Sequence, residues 1–488
     1  METLEGMEPT ILESSFFEPA NLEKFGNDYF ENYWPHFPII HRPTFSPFHS
    51  PPLLVAAIAM FGSRFDGDPG TFHVASAIHD HLSACIFNTR AMQQSLTTDY
   101  LQTLLLVLAH GKMFSSRKHH EMAHIFHSAM INLFRREDAF SPQVLSAEAS
   151  GSSLEQKWQS WIERESMTRL AFFAFMMDAQ HAMYFMHTPV LNVNDIHLQL
   201  PCEDVLWNAA TAEQWHKSAQ TTCESPYFRQ CLRSLLRKIP APHGHSPYSR
   251  FILLHGLFSV ATSLHTNESM YLNMGMTGPL DEWRAIISQG IETWSSSELF
   301  IETSLSSAAA RLLSRMAQIT MHCHLYHVHV FSGAPSLLGN TITGTDYTKA
   351  TEYLKLWFAS KHSRTALYHS LSLVQDHLFA RQQCREFDKN IAVRPWCLYS
   401  ATLVIWVYSS LEYSANARED AREDVPDNLS LELYIPAMIQ HVCKEGSTIR
   451  MKQTKDLLNM VRVHLQHYQW ELLQEACITL GRLAGMSR

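Results

Sequence analysis

Closely spaced cysteines are missing from this sequence. The 488-residue chain has nine cysteines, and no two of them lie within five residues of each other. Structural zinc sites take their thiolates in pairs roughly two to four residues apart. The spacing therefore excludes a zinc cluster, a zinc ribbon or a Cys2His2 finger within this sequence. It favours reduced, mostly buried thiols.

An excess of positive charge is missing as well. The formal net charge is -9 at pH 7, from 38 Lys and Arg against 47 Asp and Glu. A negatively charged molecule repels the phosphate backbone of nucleic acids. The composition therefore argues against direct DNA binding by this chain.

No segment is typical of passage into or across a membrane. Residues 1–5 (METLE) are acidic, which a signal or transit peptide would not be. The longest uncharged apolar run, residues 396–411, contains Ser, Thr and Tyr and is too short to span a bilayer comfortably. We therefore expect a soluble protein.

The common signatures of catalysis are also missing. There is no phosphate loop, since the residue five before Gly111 is Leu106 rather than glycine, and no G-x-S-x-G elbow or G-x-G-x-x-G turn occurs. No catalytic triad is evident either. We predict that the chain is not an enzyme and has no catalytic residue, cofactor or metal ligand.

One short motif points the other way. His120, Glu121 and His124 match H-E-x-x-H, in which two histidines one helical turn apart hold zinc and the glutamate polarises water. Histidine is abundant here, with 29 residues, so a chance match is easy, and no further ligand is evident from spacing. A metal-dependent hydrolase is therefore the third of our hypotheses. We favour the interpretation that His120 and His124 are ordinary packed side chains of a helix.

A denser group of histidines lies at residues 322–329 (HCHLYHVH). On a helix, His324 and His327 share a face, and a pair of neutral imidazoles can bind zinc or copper. The same side chains can equally pack in a core and bond to carbonyls and water. The pattern favours histidines that pack in the core, and a metal or ligand pocket remains the alternative interpretation.

What the sequence does contain is apolar residues at helical spacing. It is 46% hydrophobic and 17% charged, which is typical of a globular chain. Segments with three- and four-residue periods follow one another, and no strand pair with a hairpin signal stands out. We predict an all-α fold, a large multi-helical body. Its last periodic segment, residues 457–483, predicts a helix that closes this body or pairs with another chain, and closure is favoured.

The N-terminal region, residues 29–65, has a different pattern. Its first half mixes seven aromatic residues with five prolines, and each proline disfavours helix for itself and its predecessor. We expect this half to be an extended aromatic and proline-rich strap. From Pro52 a nearly uncharged run predicts a buried helix.

The strongest helical pattern begins near Trp158 and continues for about seven turns. Glu165 and Arg169 fall on its apolar face, four residues apart and with the acid first, the favourable order for an ion pair. The sequence therefore predicts an internal pair between these two side chains.

These segments resemble the fungal-specific transcription factor domain, the regulatory "middle homology" region of fungal zinc-cluster and related zinc-finger regulators. The first matching block is a Tyr-Phe pair, then FPIIHRPTF (37–45), then the helix from Pro52. The second is residues 158–185 followed by LPCEDVLWNAATAEQW (200–215). The resemblance covers roughly the first half to two thirds of the chain. The positions that match the family motif are Tyr29, Phe30, Phe37, Pro38, His41, Pro43, Phe45, Trp161, Glu165, Arg169, Asp178, Leu200, Pro201 and Trp207.

The resemblance implies an all-helical domain that restrains or tunes a transcription regulator, sometimes in response to a small molecule, and that works in the nucleus. In the family this domain follows a zinc module that binds DNA. Here the regulatory domain begins within 30 residues of Met1. We therefore expect that the DNA-binding module was lost or was left out of the gene model, or that this protein acts through protein partners. Direct DNA binding by the chain is thereby put in doubt.

We accordingly expect a mobile acidic leader at residues 1–20, the regulatory domain at 21–290, and a C-terminal helical part of the same body at 291–488. The expected function is transcription regulation, in a secondary-metabolism or nutrient pathway. The expected partners are the transcription machinery or a DNA-binding protein, a second copy of the chain, and a small-molecule effector. The alternative is a helical interaction scaffold or dimer partner that binds no DNA.

Overall fold

Helices make up nearly all of the regular structure in the computed structural model, which confirms the all-α prediction. The structure describes residues 7–87, 96–142, 153–239, 246–273, 282–296, 305–337, 339–379, 393–416, 429–444 and 453–485. No helix in these ranges is both long enough and apolar enough to cross a bilayer.

The helices in the first half of the chain are α1 (Pro9–Leu12), α2 (Pro19–Asn32), α3 (Pro52–Gly62), α4 (Pro69–Ile86), α5 (Thr98–Phe114), α6 (Arg117–Arg136), α7 (Leu154–Phe185), α8 (Asp204–Trp207), α9 (Ala212–Ala219), α10 (Phe228–Leu236) and α11 (Pro247–Asn273). Those in the second half are α12 (Glu282–Ser295), α13 (Leu305–His322), α14 (Leu325–Phe331), α15 (Gly344–Ala359), α16 (Lys361–Leu378), α17 (Arg394–Asn416), α18 (Leu431–Val442), α19 (Thr454–Leu465) and α20 (Glu471–Leu483). Two short strands, β1 (Ser336–Leu337) and β2 (Asn340–Thr341), pair antiparallel between α14 and α15.

Several helices begin where the sequence supplies a capping side chain or a proline. Asp68 accepts a hydrogen bond from the backbone N–H of Thr71 at 2.8 Å, at the start of α4. Thr343 and Asp346 form a reciprocal capping box at the start of α15. These caps satisfy backbone N–H groups that have no partner within the helix. Pro52 occupies the first turn of α3, where its missing N–H costs nothing.

The chain divides into two compact units. The first consists of residues 1–180, 189–260 and 289–298, and the second of residues 181–188, 261–288 and 299–488. In the first unit, α2 packs on α3, and α5 packs on α3, α4 and α6. In the second, α16 packs on α13, α17 and α18, and the α19–α20 pair packs on α17. The predicted division at residues 21–290 and 291–488 stays a prediction.

Residues 9–20 are structured, where the sequence led us to expect a mobile leader. They form α1, a 3-10 turn at Ser15–Phe17 and the start of α2. Ile11 and Phe16 are buried, and the ring of Phe16 packs on that of Phe25 with centroids 4.8 Å apart. The expectation overlooked these two apolar residues among the acidic ones. Residues 1–6 lie outside the described part of the chain.

The predicted extended strap is wrong at its beginning. Tyr29 and Phe30 lie in α2, because no proline occurs between Pro19 and Pro35 to interrupt the helix. After α2, residues 37–41 contain no helix and a single 3-10 turn follows at Arg42–Thr44. The helix from Pro52 is confirmed as α3.

Gly62 lets α3 lie directly against α2. A Cβ atom at this position would overlap the carbonyl oxygen of Phe25 and lie 3.1 Å from the backbone nitrogen of Tyr29. Only glycine allows two helix backbones to approach this closely.

The last periodic segment is two helices instead of one. α19 ends at Leu465, and α20 begins at Glu471 and packs back on α19. Leu465 and Leu472 are both buried within the second unit. The segment therefore closes the helical body, as the favoured interpretation predicted.

Candidate functional site

The second motif block is centred on a fully buried arginine. Arg169 lies in α7, and its side chain is 0% exposed. Its Nε donates to Oε1 of Glu165 at 2.7 Å, so the predicted ion pair is present. Burial is the largest single influence on the pKa of Arg169 and lowers it, but Glu165 and Cys202 together outweigh burial, so the pKa is raised.

The pair also fixes the chain segment that follows α7. Arg169 Nη2 donates to the carbonyl oxygen of Cys202 at 3.1 Å, and the N–H of Cys202 donates to Glu165 Oε1 at 3.0 Å. The hydroxyl of Ser249 in α11 donates to the carbonyl of Pro201 at 3.1 Å. Hydrogen bonds thus join Glu165 and Arg169 to Cys202, the residue that directly follows Pro201.

Aromatic rings enclose the guanidinium. The centre of the Arg169 guanidinium lies 4.3 Å from the centroid of Trp207 and 5.5 Å from that of Tyr248. The Tyr248 hydroxyl donates to the carbonyl of Arg169 at 2.9 Å. Cation–π contacts of this kind compensate part of the desolvation of a buried cation. We refer to Glu165, Arg169, Cys202, Trp207 and Tyr248 as the arginine node.

The first motif block reaches this node. The ring of His41 packs edge-on against Trp207 with centroids 4.8 Å apart, and Phe37 packs on Phe173 of α7 at 4.8 Å. Burial lowers the pKa of His41 to about 4, so this imidazole is neutral at physiological pH. The structure therefore brings the two separated blocks into contact.

Side-chain donors hold the segment between α2 and α3 in place. Trp34 Nε1 donates to the carbonyl of Ile40 at 2.8 Å, and Gln102 Nε2 from α5 donates to that of Ile39 at 2.9 Å. A chain with little regular structure needs such partners for its buried carbonyls. Arg42 lies over the ring of Phe30 at 5.3 Å, and this ring packs on Phe45 at 5.3 Å.

Asp178 belongs to a second buried network. Its carboxylate accepts from the N–H groups of Val190 and Leu191 at 3.0 and 2.9 Å, and from Nε2 of His127 at 2.7 Å. Nδ1 of His127 lies 2.9 Å from Nζ of Lys112. Because the Asp178 carboxylate accepts, His127 carries its proton on Nε2 and leaves Nδ1 to accept from Lys112, so the imidazole relays between the lysine and the carboxylate.

Lys112 is the unusual member of this network. Burial lowers its pKa from 10.5 to about 7, although Asp178 acts in the opposite direction. Sequence reasoning missed both Lys112 and His127. The available signal was a lysine among the mostly apolar residues in the second half of helix α5.

The other predicted site residues are distributed around these two networks. Trp161 packs on Trp207 with centroids 6.4 Å apart, and Tyr29 packs on Phe61 at 6.0 Å. Leu200 and Pro38 are buried, whereas Pro43 is exposed. Each of these is a packing or surface position.

The H-E-x-x-H motif directs its glutamate and its two histidines to different sides of α6. His120 Nε2 lies 2.7 Å from His124 Nε2, and His120 Nδ1 lies 2.8 Å from the carbonyl of Lys112. Glu121 accepts from Arg117 at 3.0 Å and its side chain is 51% exposed. The glutamate thus lies on the solvent side of α6, while the two histidines turn inward.

Comparison with known proteins identifies the class. Residues 27–296, more than half of the chain, match the model of the fungal specific transcription factor domain. The chain belongs to this family. No solved structure matches it.

Curated relatives extend the similarity over almost the whole chain. The "Nicotinate catabolism cluster-specific transcription factor" of Emericella nidulans is 26% identical over 98% of this chain, which covers 56% of that protein. "Zinc finger protein klf1" of Schizosaccharomyces pombe is 25% identical over 94% of this chain and 60% of its own length. A "Transcription factor" of Gibberella fujikuroi is 23% identical over 81% of this chain and 49% of its own length. The chain thus spans about half to three fifths of the length of these relatives.

Proposed function

We propose that this chain is the regulatory region of a nuclear transcription regulator. The observation that carries the proposal is similarity over 98% of the chain to a protein named a transcription factor, and over 94% to one named a zinc finger protein, well past the 27–296 family match. Nothing in the described geometry favours catalysis over this role.

DNA would be read outside this region, either by another part of the same polypeptide or by a partner protein. The net charge of -9 and the lack of paired cysteines both support this division of work. This chain matches only 56% and 60% of the length of the first two relatives, which leaves room for a DNA-binding module in such proteins.

The target genes would belong to a nutrient or secondary-metabolism pathway. One relative is named for a nicotinate catabolism cluster, which supports control of a gene cluster of this kind. The partners we propose are proteins of the transcription machinery, with a second copy of this chain and a small-molecule effector as further candidates.

The arginine node would act as the structural centre of the regulatory region. It joins both motif blocks through hydrogen bonds and ring contacts and has no exposed reactive group. Disturbing it would change how the region presents its surface to partners.

The proposal is tested by transcript profiling. The gene is deleted in the source fungus and complemented with the full-length wild type or with Arg169→Ala. We expect deletion to change the transcripts of a defined set of genes, and Arg169→Ala to fail to restore them. Arg233→Ala, an exposed position on α10, should restore them fully.

Protein levels are compared by immunoblotting, which separates loss of function from loss of protein. Unchanged transcripts in the deletion strain under each nutrient condition would refute the role in transcription. An Arg169→Ala protein that accumulates normally and restores every transcript would refute the role of the arginine node.

A further inference from the structure

A buried lysine is the ionisable group of the first unit that the proposed role in transcription leaves unused. Lys112 lies near the end of α5 and is 4% exposed. Lysine is almost never buried to this degree unless it is paired with an acidic group. The direct partner of Lys112 is instead an imidazole, that of His127 on α6.

The contacts of Lys112 indicate an uncharged amine. An ammonium group has three N–H donors and no acceptor. Within the described part of the chain Nζ has a single acceptor, Nδ1 of His127 at 2.9 Å. A charged lysine would therefore keep two N–H groups without a partner inside the protein, which is costly. Burial lowers the pKa of this lysine to about 7, which agrees with the contacts.

His127 and Asp178 complete an arrangement that activates a nucleophile. Nε2 of His127 donates to the carboxylate of Asp178 at 2.7 Å, so the lone pair of Nδ1 faces the amine of Lys112. A nucleophile, a base within hydrogen-bond reach and a third group that orients the base are the general signature of covalent chemistry. We refer to Lys112, His127 and Asp178 as the lysine relay.

Three helices hold the lysine relay in place, since its members come from α5, α6 and α7. The side chains of His127 and Asp178 are 3% and 2% exposed. The Asp178 carboxylate also accepts from the N–H groups of Val190 and Leu191, at 3.0 and 2.9 Å. A reagent that reaches Nζ of Lys112 must therefore be small and uncharged, because the entry of an ion into such surroundings is costly.

Carbon dioxide has the required properties. It is small, it has no net charge, and its carbon atom is electrophilic. It reacts with a neutral amine and not with an ammonium group, because only the neutral amine has a lone pair. Ordinary lysines, with a pKa of about 10.4, are protonated at neutral pH and so react poorly. The lysine relay provides a neutral amine together with a group that can take up its proton.

We propose that Lys112 is a site of reversible carbamate formation with CO2. The lone pair of Nζ forms a bond to the carbon of CO2, one C=O bond becomes a C–O⁻ bond, and Nζ loses a proton to Nδ1 of His127. The resulting imidazolium lies between two anions, the carbamate and the Asp178 carboxylate. The net charge of the lysine relay is therefore unchanged. Reversal of the step releases CO2 and returns the proton to Nζ.

Carbamate formation would place two new charges between α5, α6 and α7. Dissolved CO2 would thereby act on the packing of the first unit, at the carboxylate that holds the N–H groups of Val190 and Leu191. The site does not depend on the proposed role in transcription.

The test is to trap the carbamate on the purified full-length chain. The protein is equilibrated with isotope-labelled CO2 slightly above neutral pH and treated with triethyloxonium, which converts a carbamate into a stable ethyl ester. Peptide mapping by mass spectrometry then locates the product. We expect a labelled product on Lys112, with an occupancy that rises with the concentration of CO2.

Three variants connect the product to the lysine relay. Lys112→Met removes the nucleophile and should abolish the product. His127→Gln keeps the lysine and should lower the occupancy by roughly tenfold, because the carbamate loses its charged hydrogen-bond partner. Lys118→Met, the control, changes an exposed lysine of α6 that pairs with Asp80, and it should leave the product on Lys112 unchanged.

Three outcomes overturn the proposal. They are a folded wild-type chain without product on Lys112 at saturating CO2, a product found equally on exposed lysines such as Lys118, and a folded His127→Gln variant with unchanged occupancy. Folding of each variant is checked by circular dichroism. Should a variant fail to fold, peptide mapping of the wild type still decides, because it assigns the product to a residue directly.

Discussion

At the scale of single residues, the arginine node makes a strong prediction. Arg169 is fully buried and paired with Glu165. Removing one partner of a buried pair leaves an uncompensated charge, at a cost of about 3–5 kcal/mol. We therefore expect Arg169→Met to lower the free energy of unfolding by about this amount, measured by urea denaturation.

The double variant Glu165→Gln/Arg169→Met separates the charge from the packing. Because neither residue then leaves an unpaired charge, its loss should be smaller than the sum of the two single losses. Additive losses would mean that the pair contributes through packing alone. The exposed pair of Arg117 and Glu121, also four residues apart, serves as the reference. Breaking this pair should lower the free energy of unfolding by no more than about 1 kcal/mol.

Lys112 predicts a second effect, on the pH dependence of stability. Its pKa is about 7 in the folded chain against 10.5 for an ordinary lysine. Between these two values the unfolded state binds more protons than the folded state, so the free energy of unfolding rises with pH in this window. Below about pH 7 the lysine is charged in both states, and the folded state carries the full cost of burying it.

Lys112→Met removes this contribution. The free energy of unfolding of the variant should exceed that of the wild type by most at or below pH 7. As pH rises toward 10.5 the wild type should gain roughly a few kcal/mol relative to the variant. Melting temperatures of both proteins across this range provide the measurement. A difference that does not change with pH would contradict a lowered pKa for Lys112.

At the scale of elements, the contact between α2 and α3 depends on Gly62. Alanine is about 1 kcal/mol better than glycine within a helix. At this position, however, its Cβ would overlap the carbonyl of Phe25, and such overpacking typically costs about 1–3 kcal/mol. We expect Gly62→Ala to destabilise the protein in thermal unfolding.

Gly26, in α2, is the matched control. A Cβ atom there would meet no atom within 4 Å, so Gly26→Ala should leave stability unchanged or raise it by up to about 1 kcal/mol. Equal effects of the two substitutions would show that helix propensity, and not the helix contact, determines the outcome at Gly62.

The last two helices give a prediction about assembly. Leu465 is 0% exposed, whereas Val463 in the same helix is 48% exposed. Leu465→Glu should therefore abolish cooperative unfolding, because it buries a charge, while Val463→Glu should leave the melting temperature within a few degrees. The Leu465→Glu variant is also analysed by size-exclusion chromatography. If it stays folded and loses only self-association, the last two helices form an interface and do not close the helical body.

The same elements show what the sequence could and could not predict. The Glu165–Arg169 pair followed from two positions one turn apart on a periodic helix, where local geometry decides the contact. The break between α19 and α20 did not, because the three- and four-residue period continues through it without proline or glycine. The relay through Lys112 and His127 joins residues 112, 127 and 178, and a contact this distant in sequence has no local signal.

At the scale of the whole molecule, histidine dominates the response to acid. Burial lowers the pKa of the following histidines to about 3 or 4: His36, His41, His79, His255, His329 and His369. Unfolded histidine has a pKa of about 6.5, so below that value the unfolded state takes up protons that the folded state does not. The buried neutral histidines therefore make their full contribution to the free energy of unfolding above about pH 6.5. This contribution is lost as pH falls toward 4.

We expect the melting temperature to fall steeply between about pH 6.5 and 4, before most carboxylates titrate. His329 provides the test of cause, since it is buried, its Nε2 has no partner, and its ring stacks on Trp396 at 5.7 Å. His329→Phe keeps a flat ring and removes a proton-binding group, so its melting temperature should fall less with acid than that of the wild type. His216→Phe, at an exposed position on α9, should follow the wild type. A His329→Phe curve parallel to the wild type would mean that the acid response arises elsewhere.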